Sequence, residues 1–124
     1  AHIARATLEG VAFQVDELLS AMKKDSNRKL SHLKVDGGAA ENAFLMQFQA
    51  DLSHVPVIRS QIIETTALGA ALQAGLGIGF WSDLDEVAKK WKTDRTFQPQ
   101  MSAVERKNKI QRWEKAIKAL KVLV

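Results

Sequence analysis

The chain contains no cysteine, which excludes disulfides, thiolate metal ligands and cysteine nucleophiles. Its three histidines, His2, His32 and His54, are far apart in sequence, with no second histidine at ligand spacing. They receive no role, and no residue stands out as a catalytic nucleophile. Long hydrophobic runs are also lacking. The longest low-charge stretch, Thr65 to Ser82, is interrupted by Gly69, Gly75, Gly77 and Gly79, so no segment suits a bilayer span. A soluble, cytoplasmic protein is expected. There is no internal repeat, no low-complexity tract and no Walker loop. The glycines at 37 and 38 are not followed by Gly-Lys-Ser/Thr, and their spacing does not match the dinucleotide fingerprint.

What is present fits one compact domain or a piece of a larger one: 124 residues, 46% hydrophobic, formal charge +4. The opening AHIARATLEG has no Met and no leader, and a helical pattern already runs through it, as in an excised fragment. Basic residues crowd the second half, from Lys89, Lys90 and Lys92 through Arg106, Lys107 and Lys109 to Lys121. Such a crowd suits an anionic partner or the solvated face of amphipathic helices. Apolar residues at helical spacing between the charges favour the solvated face. The basic face of the last helix carries no interleaved aromatics to stack bases, so nucleic-acid binding is not expected.

Periodicity predicts alternating helices and strands. Ala4, Leu8, Val11, Val15, Leu18 and Met22 recur at steps of three and four, the face of a long helix that ends in the polar stretch Asp25-Ser26-Asn27. Leu30 to Asp36 reads as a short strand with Leu33 and Val35 on one side. A helix carrying Phe44, Leu45, Phe48 and Leu52 follows. Pro56 among Val55, Val57 and Ile58 suggests a second strand, with the proline at an edge or a strand start. The next helix, Ala67 to Gly75, is almost entirely Ala, Gly and Leu, is capped by Thr65 or Thr66, and is expected to be buried. A short helix from Asp83 to Trp91 and an extended Thr93 to Gln98 lead to a last helix, about 102–123. Its Ser102 and Glu105 have capping-box spacing. Its stripe Ile110, Trp113, Ile117, Leu120 and Val124 predicts docking, with Trp113 fully buried. The whole reads as an α/β layer.

The chemistry-bearing segment is Val35-Asp36-Gly37-Gly38-Ala39-Ala40-Glu41-Asn42. Glycines at the end of a strand let backbone approach a ligand, and the helix start that follows offers unpaired N–H groups. A nucleotide suits that place, beyond a strand C-terminus. An ordinary turn would use the same residues. Asn42 can donate and accept at once, as an adenine edge or a ribose hydroxyl requires, or it can cap the helix. Asp36 could serve a metal or act as a base, or accept N–H groups in its own turn.

Several segments in order resemble the C-terminal region of the glycerol kinase family. They are Arg5-Ala6-Thr7-Leu8-Glu9-Gly10 with Ala12-Phe13-Gln14, Val35-Asp36-Gly37-Gly38 with Asn42, Phe44-Leu45-Met46-Gln47-Phe48-Gln49, Glu64-Thr65-Thr66-Ala67-Leu68-Gly69-Ala70-Ala71 with Ala74-Gly75, Gly79-Phe80-Trp81, and Trp113-Glu114-Lys115-Ala116. The resemblance covers nearly all of the chain. It implies the C-terminal portion of the second domain of an actin-like (ribonuclease H-like) ATPase fold, residues 1–124, helix-rich with a partial sheet.

It further implies an ATP-dependent transfer of phosphate to glycerol. Gly38, Ala39 and Asn42 would line the adenine side of the ATP/ADP pocket, with the Ala67 to Gly75 helix packed beneath that loop. The catalytic aspartate, the glycerol contacts and the Mg²⁺ site would lie upstream, so no catalytic residue and no metal ligand is expected here. The full enzyme would be a homo-oligomer. A kinase for another polyol or sugar, and a non-catalytic module using the basic last helix, are the alternatives. The tract Gln98 to Glu105 departs from the form found in bacterial relatives that are regulated through this region.

Overall fold

Helix and strand alternate as the periodicity requires, in a computed structural model that describes residues 1–122. The chain runs α1 (His2–Ser26), β1 (Leu33–Val35), a single 3₁₀ turn (Gly38–Glu41), α2 (Ala43–Ser53), β2 (Val57–Ser60), α3 (Thr65–Gly77), α4 (Leu84–Ala88), β3 (Thr93–Phe97) and α5 (Ala103–Val122). Val124, the last member of the expected α5 stripe, lies outside the described residues.

The strands form one sheet in the order β1-β2-β3. β1 and β2 are parallel, with Leu33 opposite Val57 and Val35 opposite Arg59. β3 returns antiparallel to β2, with Phe97 opposite Val57. Pro56 immediately precedes β2, so it stands at a strand start. That position needs no ladder hydrogen bond from its nitrogen, which is why a proline can introduce a central strand.

α2 is the hub. Its buried residues include Leu45, Met46, Phe48, Ala50 and Leu52, which join Ala12 and Phe13 of α1, Val57 of β2 and Phe97 of β3 in one core. Phe13 meets Phe48 edge-on at 5.7 Å between ring centroids and stacks on Trp113 of α5 at 5.0 Å. Polar groups buried on α2 are all partnered. The Asp51 carboxylate accepts from the backbone N–H groups of Gln100 and Met101 at 2.6 and 3.2 Å and from the Gln47 amide at 3.1 Å. It thereby anchors the entry to α5, where Ser102 Oγ accepts from the Glu105 N–H at 3.2 Å and caps the helix as expected.

Four expectations are corrected. In α1 the helix is right but its inward face is not: Ala12, Phe13, Asp16 and Leu19 are buried, whereas Val11, Leu18 and Met22 are 45%, 62% and 57% exposed. The helix carries two apolar stripes about one residue apart around its circumference, and spacing alone cannot say which one meets α2. Trp113 is half-buried rather than enclosed, because its indole N–H reaches outward to donate to Glu17 Oε1 at 2.8 Å. Finally, α3 has no buried residue. Its Ala, Gly and Leu surface would fit closely against a layer, but α2 is the helix that covers this short sheet. Neither Thr65 nor Thr66 caps α3: its N-cap position is Glu64, without a side-chain cap bond.

Candidate functional site

β1 ends at Val35, and Asp36 and Gly37 carry the chain into the 3₁₀ turn. Gly37 adopts φ 77° and ψ 167°, a region only glycine occupies readily. Its N–H donates to the Ile63 carbonyl at 2.9 Å, and its own carbonyl accepts from the Ala40 N–H at 2.9 Å. These bonds fix the turn to the segment that leads into α3. The Asp36 carboxylate accepts a hydrogen bond from the Thr65 hydroxyl. Asp36 therefore joins the end of β1 to the start of α3, and that is also where the Thr65 hydroxyl points instead of capping its own helix.

Gly38, Ala39 and Asn42 are all exposed on this one turn, while Ala40 between them is buried. The buried alanine orients the rest: with its methyl group in the core, its neighbours face outward. The two glycines differ in what requires them. Gly37 is demanded by its own dihedrals. Gly38 has no left-handed φ, and a Cβ built there meets nothing within 4 Å, so nothing within this chain requires glycine at that position. A missing side chain that the fold does not demand leaves the backbone open to a ligand. At the first turn of a helix the N–H groups lack carbonyl partners in their own helix and are free to donate.

Of the two roles expected for Asn42, the structure shows the helix cap. Its Oδ1 accepts from the Leu45 N–H at 3.0 Å and caps α2. The side-chain oxygen is thus engaged, and the amide NH₂ is the part left to face a ligand. It can donate to a ring nitrogen or a ribose oxygen.

One contributor was not foreseen. Arg59, on β2, extends its guanidinium under the turn and donates from Nη1 to the carbonyls of Ala40 and Glu41 at 3.1 and 3.2 Å. A charged residue following two apolar ones in a strand is the available signal. The other edge of the fork meets Asp94 of β3, with Nε to Oδ2 at 2.7 Å and Nη2 to Oδ2 at 2.5 Å.

No group of three or more His, Cys, Asp or Glu among the described residues could hold a metal ion. No helix among them is long and apolar enough to cross a membrane. Asp16 is a buried carboxyl with a raised pKa. Burial pushes it up, against the lowering effects of its Ser53 hydrogen bond and of Arg106. It lies in the interface of α1 with α2 and α5, away from the turn.

Residues 1–78 match the model of the FGGY family of carbohydrate kinases, C-terminal domain. The chain is 56% identical over 117 residues to the glycerol kinase of Deinococcus radiodurans, covering 94% of this chain and 23% of that enzyme. Among solved structures it is similar to Plasmodium falciparum glycerol kinase with ADP, at 36% identity and TM-score 0.81, over 95% of this chain and 24% of the other. A xylulose kinase from Lactobacillus acidophilus shares the fold alone, with TM-score 0.78 at 23% identity over 96% of this chain and 24% of the other. The architecture is that of the actin-like ATPases, represented by roughly a quarter of the length of these kinases. On the family match and on this identity, the chain belongs to the FGGY family of carbohydrate kinases.

Proposed function

We propose that the chain forms one wall of the ATP site of a glycerol kinase, an enzyme that moves the γ-phosphate of ATP to glycerol. The observation that carries this reading is the exposed turn beyond β1, where Gly38 stays open although nothing in the chain requires a glycine there. Gly38 and Ala39 offer backbone to the adenine face, and Asn42 offers its amide N–H. The ADP-bound relative at 36% identity and the glycerol kinases at 52–56% identity support the same reading.

These residues bind and orient the nucleotide base and perform no chemistry. In-line transfer needs a positioned acceptor and groups that neutralise phosphate charge. Those groups, including the carboxylates that would hold Mg²⁺, belong to sequence upstream of the turn in the parent enzyme. Glycerol would bind there too. The same reading has the parent enzyme work in the cytoplasm as a homo-oligomer.

The test uses a full-length kinase in which residues 1–124 replace the matching segment of the Deinococcus radiodurans enzyme. Asn42→Ser keeps a capping oxygen and removes the amide donor. Losing that contact should raise the KM for ATP by the equivalent of about 1–3 kcal/mol, with the KM for glycerol nearly unchanged. An unaltered KM for ATP would overturn the assignment.

A further inference from the structure

We infer that Arg59 is a positioning residue for the nucleotide turn, setting the height and tilt at which Gly38, Ala39 and Asn42 meet the base. The inference rests on the nucleotide reading of those three residues. It adds a determinant of ATP affinity that has no contact with ATP.

The geometry is that of a fork held at one end. Asp94 takes Nε and Nη2 of the guanidinium, and the Phe97 ring lies 5.7 Å from its centre. The side chain is only 17% exposed. With that edge fixed to β3, Nη1 presents its hydrogens to the carbonyls of Ala40 and Glu41. These are the last carbonyls of the 3₁₀ turn, the ones a short helix leaves without partners. Drawing them toward β2 tips the opposite end of the turn outward, where Gly38 and Ala39 are exposed. The residue just after the fork's target is Asn42, whose N–H is bonded to the Ala39 carbonyl at 3.2 Å.

Lysine cannot replace this function. An ammonium is a point donor on a flexible stem and lacks the planar fork that engages a carboxylate and two carbonyls in fixed directions. Asp94 in turn stops the arginine from swinging toward solvent.

The experiment compares Arg59→Lys, Asp94→Asn and Asn42→Ser, singly and with Arg59→Lys and Asn42→Ser combined, in the same full-length kinase. Arg59→Lys should raise the KM for ATP roughly five- to tenfold, leaving the KM for glycerol and the thermal midpoint close to the parent values. Asp94→Asn should have a smaller effect in the same direction. If Arg59 acts through the turn, its effect shrinks once Asn42 has been replaced. Additive effects, or a fall in thermal midpoint with both KM values rising together, would show a purely structural arginine and overturn the inference. Should Arg59→Lys not fold, Asp94→Asn decides alone, because Asp94 is 43% exposed and an unchanged KM for ATP there is equally fatal. If Asn42→Ser itself leaves ATP unaffected, the nucleotide reading fails. If Asn42→Ser raises the KM and neither fork variant does, the positioning role fails by itself.

Discussion

α2 and α3 have similar lengths and opposite fates. Eight of the 11 residues of α2 are buried, three of them polar, whereas none of the 13 residues of α3 is, although α3 is made almost wholly of Ala, Gly and Leu. Burial thus follows from having a surface to meet. α2 has the sheet on one side and α1 and α5 on the other, so even Gln49, Asp51 and Ser53 are drawn inside and must find partners. α3 and α4 leave Ile78, Phe80 and Leu84 at 82%, 69% and 71% exposure. Their internal order comes from local contacts. Trp81 lies so close over Gly75 that a Cβ there would come within 2.5 Å of the indole nitrogen, and the Lys90 ammonium sits 4.4 Å above the same ring. These exposed apolar side chains belong to a chain about a quarter the length of its relatives.

The contrast can be broken most directly with two phenylalanines. Phe97→Ala empties a site that is 2% exposed and should cost about 3–5 kcal/mol in chemical unfolding of the chain. Phe80→Ala should stay within about 0.5 kcal/mol. Equal losses would mean that the α3–α4 arm is as well packed as the hub.

The two glycines sharpen it within the turn after β1. Gly37→Ala forces a side chain onto φ 77° and should cost about 1–3 kcal/mol. Gly38→Ala should leave unfolding within about 0.5 kcal/mol while weakening ATP in the full-length kinase. A large stability loss at Gly38 would remove the case for a ligand there.

A pH-dependent effect belongs to Asp16. Its pKa is raised in the folded state by burial, so the acid form is the better tolerated one. Its contribution is favourable in acid and is lost as pH rises through the folded pKa. Asp16→Asn should match the parent chain in acid and become more stable than it toward neutrality, by on the order of 1 kcal/mol or less. The thermal midpoint of both chains followed against pH reads this out. A parent chain that gains on Asp16→Asn as pH rises would show that Arg106 and Ser53 outweigh burial.

Much of the site was legible because its signals are local. Gly37, Gly38 and Asn42 announce a strand end, a turn and a helix start through their own backbone preferences, and the turn stands where they indicate. The role of Asp36 is not legible, because its partner, Thr65, is 29 residues away. Arg59 was missed for the same reason: its worth lies in carbonyls 18 and 19 residues back and a carboxylate 35 ahead.

By itself the sequence determined the order of elements, Asn42 as a candidate cap of α2, the capping of α5 by Ser102, and the position of the glycine turn. Each follows from interactions spanning four residues or fewer. Only the tertiary structure decided which of the two apolar stripes of α1 faces inward, that α3 is left uncovered, and that Arg59 braces the turn. Those outcomes depend on which surfaces meet, and a helical or strand period says which residues share a face without saying what that face will touch.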